Sequence, residues 1–216
     1  MKQTRHLFLA IFAMCIAVTA SNILVQFPLY WFGLEHLLTY GAFTYPFAFL
    51  INDLTNRRYG PQAARRIVYA GFVAGFVVSW ILASPRLAIA SGTAFLFAQL
   101  LDIIVFNPLR RKSWWIAPLA AALTGSALDT LWFFAVAFSS HFSFIDRLTG
   151  YSDGSITEMT SLIGLDVPVW LSLSLGDFSV KVVMGVLMLL PYGAILAIFM
   201  PDIYHGEDSR KGDQTI

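Results

Sequence analysis

The sequence predicts an all-α, polytopic membrane protein with six transmembrane helices and both termini in the cytoplasm. Three observations support this fold class: the composition, six long apolar runs, and the placement of lysine and arginine. Of the 216 residues, 57% are hydrophobic and only 12% are charged, and the mean hydropathy is +0.69. Because soluble domains carry about 25% charged residues, this composition favours a chain that lies in a lipid bilayer.

The six apolar runs each reach the ~17–25 residues that a helix needs to cross a bilayer. In chain order they are Leu7–Gln26, Thr39–Thr55, Ile67–Ala83, Ala90–Phe106, Trp115–Phe138 and Phe178–Met200. No linker separates them, so residues 1–200 are predicted to form one six-helix transmembrane domain, followed by a polar cytoplasmic tail at 201–216. A signal peptide is the alternative for the first run, but its length and the five later runs favour a permanent helix.

Lysine and arginine indicate the orientation of these helices. All but three of the 14 fall at the termini or in loops that six spans would place on one side; the exceptions are Arg86, Arg147 and Lys181. Cytoplasmic loops carry the excess of positive charge in membrane proteins. Both termini are therefore predicted to be cytoplasmic, and the long loop at 139–177 is predicted to lie outside.

Small residues and one proline predict how the helices pack. Alanines recur along the first span from Ala10 to Ala20, and Gly71 and Gly75 form a GxxxG pattern in the third. Such residues let two helices approach closely, either inside the bundle or against another subunit. Pro191 predicts a kink in the last span, because proline removes one helical hydrogen bond.

Polar residues inside the spans are the candidates for a functional site, because a charge at the bilayer centre costs ~2.5–3.5 kcal/mol and usually has a partner or a role. They are Asn22, Asn52, Asp53, Gln99, Asp102, Asp129, Thr130 and Lys181, with Asp177 beside the last span. At 1.5 Å per residue, Gln99 and Asp129 both fall ~14 Å from the outer ends of their spans, and Lys181 falls about 5 Å from the start of its span. These depths predict one shared cavity.

The chemistry of these side chains indicates a class of solute. A carboxylate accepts two parallel hydrogen bonds, such as those from the N1–H and exocyclic amine of guanine, and an amide both donates and accepts. The aromatic residues Phe43, Tyr45 and Trp132 are candidates for stacking a flat ring. The set suits a planar, neutral or weakly cationic heterocycle that is rich in hydrogen-bonding groups.

Structural roles remain open as alternatives for each candidate. Gln99 and Asp102 would then join two helices by polar contacts, and Asn22 would cap or bridge helices. In a third class, a membrane scaffold without transport activity, these contacts would be their whole role.

The two ion pairs also have structural alternatives. Asp177 and Lys181 are four residues apart, which suits an interfacial pair with Lys181 extended toward the outer surface. Asp53 lies four residues before Arg57, which suits a structural or gating pair near the cytoplasmic end of the second span.

Enzyme chemistry has little support in the sequence. No HExxH, GxSxG or phosphate-loop motif and no metal-ligand spacing occurs, so no catalytic residue, metal or cofactor is expected. The enzyme alternative is an intramembrane aspartyl hydrolase that uses Asp102 and Asp129. The net charge of +1 gives no indication of nucleic-acid binding.

Several stretches together resemble the queuosine precursor transporter family, whose members are also described as vitamin-uptake-like integral membrane proteins. The stretches are SNILVQFPL from Ser21, TYGAFTYPFAFLINDLTNRRYGPQAARRI from Thr39, AQLLDIIVFNPLRR from Ala98, WWIAPLAAALTGSALDTLWFFAVAF from Trp114 and DFSVKVVMGVLMLLPYGAIL from Asp177. Ser126 departs from the pattern, since many relatives have Gln there. The TNRRYG segment also differs, because one basic residue is usual.

The resemblance implies a six-helix importer of 7-cyano-7-deazaguanine or 7-aminomethyl-7-deazaguanine in the bacterial inner membrane, supplying the queuosine modification of tRNA. At the matching positions, Gln99, Asp102 and Asp129 are expected to hold the base, with Asn22, Thr130 and Lys181 nearby. The pairs Asp177–Lys181 and Asp53–Arg57 are expected to act as outer and inner latches.

The expected partners follow from the same resemblance. They are a deazapurine substrate and the lipid bilayer, with no nucleic acid and no ATPase; a homo-oligomer with a second copy of the chain is left open. The alternative is a substrate-binding subunit that docks on an ATP-driven uptake module through Ala13 and Ala17 of the first span.

Overall fold

The computed structural model describes residues 2–27, 30, 40–162 and 164–201. In this part the chain is mainly helical, with one short hairpin. Its elements are α1 (Lys2–Leu24), α2 (Gly41–Thr44), α3 (Pro46–Tyr59), α4 (Pro61–Leu82), α5 (Pro85–Leu109), α6 (Ile116–Phe138), a 3-10 turn (Ser140–Phe142), α7 (Ser143–Thr149), β1 (Met159–Leu162), β2 (Leu165–Pro168), α8 (Val169–Leu187) and α9 (Leu189–Phe199). Of the predicted tail at 201–216, all residues after Pro201 lie outside the described residues.

Five stretches of helix among the described residues are long and apolar enough to cross a membrane. They are Arg5–Leu24, Pro61–Leu82, Pro85–Leu109, Ile116–Phe138 and the α8–α9 stretch Val169–Phe199. The chain is therefore a polytopic helical membrane protein. These five correspond to the first, third, fourth, fifth and sixth predicted spans.

The second predicted span is a broken helix. Its predicted start at Thr39 lies outside the described residues, and the helix is interrupted at Tyr45, between α2 and α3. Pro46 begins α3, where its missing N–H costs no hydrogen bond. The 14 residues of α3 extend ~21 Å, which is short of a bilayer crossing, so length and composition alone do not establish a sixth span.

The last predicted span was too short. Helix α8 begins at Val169 rather than Phe178, directly after the antiparallel β1–β2 hairpin. Asp177, taken as a polar boundary, is instead bonded to neighbours within the bundle, so the helix passes through it. Lys181 consequently lies 12 residues, or ~18 Å, from the start of α8, and the predicted depth of about 5 Å was wrong.

The helix is interrupted one turn before Pro191, at Met188, whose backbone stays in the helical region, and the kink expected near Pro191 stays a prediction. Helix α8 ends at Leu187 and α9 begins at Leu189. Proline cannot donate to the carbonyl of Leu187, and its ring crowds that carbonyl, so the break falls where the hydrogen bond is lost.

The GxxxG pattern packs within the chain, against α1. A Cβ atom added to Gly71 would lie 2.7 Å from Cγ of Met14, and one added to Gly75 would lie 2.5 Å from Cγ1 of Val18. Side chains at these positions would therefore separate α4 from α1. The sequence left open whether small residues pack inside the bundle or against another subunit. For these two glycines, the structure supports packing inside the bundle.

A buried arginine fastens the end of the bundle at which α5 begins. Arg86, only 1% exposed, lies in the first turn of α5. Its guanidinium donates to the carbonyl oxygens of Val136 and Ser139 at 2.8 and 2.5 Å and to the carboxylate of Asp146 at 2.7 Å. A weaker contact reaches Asp153 at 3.5 Å. This arginine clamp joins α5 to the end of α6 and to the loop that follows.

Candidate functional site

Two clusters of polar side chains lie inside the bundle. The first, called here the ion cluster, centres on the ammonium group of Lys181 in α8. Its Nζ lies 2.5 Å from Oδ2 of Asp177, 2.8 Å from Oδ2 of Asp129 and 3.0 Å from Oγ1 of Thr130. Thr130 in turn donates to Asp177 at 2.7 Å, and the hydroxyl of Tyr45 donates to Oδ1 of Asp129 at 2.6 Å.

The ion cluster decides between the two interpretations of Lys181. An ammonium group has three donors, and three acceptors surround it here, all inside the bundle. The side chain is only 14% exposed. The expected Asp177–Lys181 pair is confirmed, but the idea that Lys181 extends to the outer surface was wrong, because Asp129 and Thr130 on α6 hold it inward.

The second cluster, called here the amide–carboxyl cluster, consists of Asn52 and Asp53 on α3 and Gln99 and Asp102 on α5. None of the four is more than 3% exposed. Nδ2 of Asn52 donates to Oδ2 of Asp102 at 2.9 Å and to the backbone carbonyl of Gln99 at 3.3 Å. Asp53 follows Asn52 on α3 and lies close enough to Asp102 for the two carboxyl groups to interact electrostatically. The predicted face that carries Gln99 and Asp102 therefore meets α3.

Several buried polar atoms of this cluster have no hydrogen-bond partner among the described residues. They are Oδ1 of Asn52, Oδ1 of Asp53, Oδ1 of Asp102, and both Nε2 and Oε1 of Gln99. Buried polar atoms are normally hydrogen-bonded, because an unmet donor or acceptor costs ~1–3 kcal/mol. A concentration of acceptors and one amide donor in a single buried place is the chemistry of a site for a polar ligand.

A cavity lies between α3, α6 and the α8–α9 pair and touches both clusters. It comprises about 440 Å³ of empty space, part of it open solvent. Asp53 lines it on the side of the amide–carboxyl cluster, and Lys181 lines it on the side of the ion cluster. The rings that line it belong to Tyr45, Phe49 and Tyr192, so polar ends and an aromatic middle meet in one cavity.

Arg57 lies near the C-terminal end of α3, one turn beyond Asp53. It is 3% exposed and donates to the backbone carbonyls of Arg110 and Trp114 at 3.3 and 3.2 Å. Its guanidinium also lies over the ring of Tyr192, 5.7 Å from the centroid. Arg57 thus fastens α3 to the α5–α6 loop and to α9 below the cavity.

Three of the predicted site residues lie elsewhere. The amide of Asn22 accepts from Ser79 on α4 at 2.5 Å and donates to the carbonyl of Val18, so it bridges α1 and α4, as its structural alternative held. Phe43 is 40% exposed. Trp132 is 36% exposed and its indole N–H donates to Thr93 at 2.8 Å on the α5–α6 surface.

The sequence did not indicate that four further residues belong to the polar clusters or line the cavity. Asn52 stood among the polar residues of the spans, and its burial beside Asp102 could have been anticipated only by knowing that α3 crosses α5. Phe49 and Tyr192 resemble ordinary apolar positions in sequence, and no local signal separates them from other aromatic residues. Ser126, which lines the cavity, was noted only as a departure from the pattern.

Comparison of the sequence with known proteins places the chain in a family. The sequence profile of the family described as "Putative vitamin uptake transporter" matches residues 39–84 and 79–195. No solved structure matches the chain significantly.

Among curated proteins, the chain is 32% identical over 207 residues to the "Queuosine precursor transporter" of Escherichia coli (strain K12), covering 86% of this chain and 84% of that protein. It is 30% identical over 234 residues to the "Probable queuosine precursor transporter" of Haemophilus influenzae, covering 92% and 89%. A "Probable queuosine precursor transporter" of Bacillus subtilis is 27% identical over 150 residues, covering 56% of this chain and 65% of that protein. These names describe transporters and not enzymes. The family match and the two long alignments together show that the chain belongs to the "Putative vitamin uptake transporter" family of membrane transporters, in agreement with the resemblance found in the sequence.

Proposed function

We propose that this chain imports queuosine precursors, 7-cyano-7-deazaguanine or 7-aminomethyl-7-deazaguanine, across the bacterial inner membrane for tRNA modification. The names of its relatives support the substrate class. The observation that carries the proposal is the set of unpartnered carboxyl and amide atoms beside an aromatic-lined cavity. A deazaguanine offers N–H donors and a carbonyl on one edge and a flat face on each side, which complements that set.

In the proposed binding mode, the position of each side chain determines its contact with the base. Asp53 lines the cavity and accepts from the N–H donors of the base, as a carboxylate accepts from a guanine edge. Gln99 and Asp102 complete the polar end from α5, and Tyr45 stacks on the ring. Compared with the binding mode expected from the sequence, Asp53 joins the ligands, while Asp129 acts from the ion cluster.

The remaining cavity residues define the size and the far end of the site. Lys181 and Asp129 close the end nearer the outer loop, with Thr130 positioning the ammonium group. Ser126 lines the cavity with a short side chain, so the site does not depend on a second glutamine there.

The proposed topology has six spans and both termini in the cytoplasm, with α2 and α3 together as the second span. The 19 residues from Gly41 to Tyr59 extend ~28 Å, close to a bilayer crossing. A break in a helix at membrane depth is tolerated where it lines a cavity, and discontinuous helices form the substrate sites of many transporters. Tyr45, at the break, lines this cavity.

Alternating access would then depend on two sets of helix contacts, one on each side of the site. The ion cluster joins α6 to α8 on the outer side, and Arg57 joins α3 to the α5–α6 loop and α9 on the inner side. In this proposal one opens while the other stays closed, and the chain works without an ATPase.

Uptake of radiolabelled base tests the proposal. Cells that lack both base synthesis and their own importer would express the parent chain or its Ser126→Trp variant at matched membrane levels. The larger side chain fills the cavity, so we expect uptake by the parent and little uptake by the variant. Thr124→Trp is the matched control, since Thr124 is exposed on the same helix and should keep parental uptake.

The alternatives predict different results in the same cells. A subunit of an ATP-driven system would show no uptake without its module, and a scaffold would show none under any condition. Parental uptake by Ser126→Trp would place the substrate path elsewhere.

A further inference from the structure

The amide–carboxyl cluster brings together buried oxygen atoms that no donor reaches. Asn52, Gln99 and Asp102 are each 0% exposed. Nδ2 of Asn52 donates to Oδ2 of Asp102 at 2.9 Å and to the backbone carbonyl of Gln99 at 3.3 Å, so the three residues lie together. Oδ1 of Asn52, Oε1 of Gln99 and Oδ1 of Asp102 have no hydrogen-bond partner among the described residues. Three side-chain oxygens from α3 and α5 therefore lack the positive charge or the donor that buried acceptors normally have.

We propose that these three oxygens bind a sodium ion that crosses the membrane together with the base, so that the chain is a sodium-coupled importer. This inference rests on the proposed function. The ion is cargo and not a resident metal. It enters from the outer side with the base and is released to the cytoplasm with it, and no covalent bond forms or breaks.

The chemistry of the three side chains indicates the class of ligand. Carboxylate and amide oxygens are the ligands that hard cations prefer, and transporters use carbonyl oxygens at broken helices to hold sodium ions. One carboxylate and two neutral amides carry a single negative charge, which one monovalent cation neutralises. A proton would satisfy only one of the three oxygens, whereas a sodium ion contacts several oxygens at once.

The positive side chains of the described residues form their ion pairs away from Asp102. Lys181 is held in the ion cluster, and Arg86 is held by Asp146. Arg57 lies one turn beyond Asp53 and donates to backbone carbonyls of the α5–α6 loop. A buried carboxylate is costly unless it has a counter-charge. A bound cation therefore stabilises the charged form of Asp102 where no ion pair among the described residues does so.

The proposed ion site lies behind the cavity and adjoins it at Asp53. The cavity is not lined by Asn52, Gln99 or Asp102, but it is lined by Asp53, the residue that follows Asn52 in α3. A base in the cavity therefore contacts Asp53, and a small ion suits the oxygens behind it. Positive charge near the Asp53 and Asp102 carboxylates offsets their mutual repulsion. Ion and base then favour each other's binding, which is the requirement for cotransport.

Thermal unfolding of the purified protein without base tests the ion site itself. Sodium chloride replaces choline chloride at constant ionic strength, because a ligand that binds only the folded state raises the melting temperature. We expect sodium to raise the melting temperature of the parent and not that of Asp102→Asn. Gln99→Leu removes one oxygen without a change of charge, so it should need more sodium for the same rise.

Asn107→Ala is the matched control for these variants. Its amide donates to the carbonyl of Ile103 in its own helix, so the variant should keep the parental response to sodium. If sodium does not stabilise the parent, or if Asp102→Asn and Gln99→Leu both keep the parental response, the ion does not bind here and the inference fails.

Accumulation of radiolabelled base tests the coupling. De-energised cells that lack both base synthesis and their own importer receive base in sodium medium or in choline medium. We expect an inward sodium gradient to drive accumulation by the parent and by Asn107→Ala, but not by Asp102→Asn. An inward proton gradient in choline medium should drive none.

The possible results separate this inference from the proposed function. Equal uptake by the parent in both media, or accumulation that follows the proton gradient, would overturn sodium coupling and leave the importer intact. Absence of all uptake by the parent would overturn the proposed function itself.

Discussion

Lys181 illustrates how one cation is held inside a helix bundle. Its ammonium group has a carboxylate from its own helix, a carboxylate from α6 and a hydroxyl from α6 as acceptors, all within 3.0 Å. Such a group pays a large desolvation penalty, and its partners offset that penalty only while all are present. The same bonds place Asp129 and Thr130 relative to α8, so they set the geometry of one end of the cavity.

Substitution of Lys181 should destabilise the protein because it leaves buried acids unpaired. Lys181→Met is expected to lower the free energy of unfolding by ~3–5 kcal/mol. Adding Asp129→Asn to it should recover part of that loss, since the removed charges interact directly. Thermal unfolding of the purified protein in detergent measures both values.

Arg147→Met is the control for that experiment. Arg147 is exposed, and its guanidinium reaches only Ser143, at 3.5 Å; a surface cation contributes ~0–1 kcal/mol. If Lys181→Met is as mild as Arg147→Met, or if the two substitutions at the ion cluster are simply additive, the ion cluster is not a coupled unit.

At the residue scale, the sequence identified the polar residues of the bundle better than it identified the side chains that contact them. Gln99, Asp102, Asp129 and Lys181 are intramembrane polar residues, and the cost of burying them was enough to select them. Their partners depend on helix contacts that are distant in sequence: Asn52 lies 50 residues from Asp102. Helical spacing relates neighbours within one helix, and it carries no information on which helix lies opposite.

At the scale of elements, the close approach of α4 to α1 depends on two glycines. Gly75→Ala is expected to destabilise the protein by ~1–3 kcal/mol, because its new methyl group would overlap Val18 and the helices must separate. Gly176→Ala is the matched control, since nothing lies within 4 Å of a Cβ there and alanine is the better helix former by ~1 kcal/mol. Denaturant or thermal unfolding of both variants should give opposite signs; equal destabilisation would mean that steric overlap is not the cause.

The arginine clamp around Arg86 leads to a second prediction at this scale. Arg86→Gln should leave Asp146 buried without its cation, at a cost of ~3–5 kcal/mol. The loop at 139–168 should then be cleaved faster by protease added outside intact cells. Arg147→Gln, on the exposed side of α7, should not change cleavage, and equal cleavage of the two variants would show that Arg86 does not hold the loop.

Asp153 adds a pH-dependent contact to this clamp. Hydrogen bonds from the side chain and backbone of Ser155 lower the pKa of its carboxyl group. A lowered pKa in the folded state means that this contact stabilises the loop above the usual Asp pKa of ~3.9 and is lost as the pH falls through the lowered value. Protease sensitivity of the parent loop should therefore rise only in that acid range, whereas Asp153→Asn should remove that pH dependence.

Elements were predictable from the sequence where apolarity and length agreed. The starts of the third and fourth predicted spans were placed several residues inside α4 and α5, since Arg65, Arg66 and Arg86 were treated as loop residues. The first nine residues of α8 were not predicted as part of the last span for a related reason, because Asp177 was treated as a boundary. For Arg86 and Asp177, tertiary contacts of the charged side chain allow the helix to continue through it, and periodicity alone cannot reveal those contacts. Arg65 and Arg66 are exposed in the first two turns of α4.

At the scale of the whole molecule, the broken helix α2–α3 connects fold and function. It brings Tyr45 to the ion cluster, Phe49 to the cavity, and Asn52 and Asp53 to the carboxyl group of Asp102. A continuous apolar span could not carry this sequence of polar residues, because a helix facing lipid would expose them. The polarity that makes α3 a weak candidate for a span by composition is the property that the site requires.

The number of spans can be tested by labelling single cysteines in intact cells. Cys15 is replaced by serine, and one cysteine is placed ahead of Lys2, at Gln62 or at Ser152, the last two being exposed positions. With six spans, a membrane-impermeant maleimide should label only Ser152→Cys, since the N-terminus and the α3–α4 loop are cytoplasmic. If α2–α3 does not cross, the N-terminal cysteine becomes accessible while Gln62→Cys stays protected, because α4, α5 and α6 alone fix the side of that loop relative to Ser152.

Permeabilised cells, in which all three cysteines should react, show that protection reflects sidedness and not burial. Labelling at the N-terminus in intact cells would therefore reduce the count to five and leave α3 as a re-entrant element of the cavity.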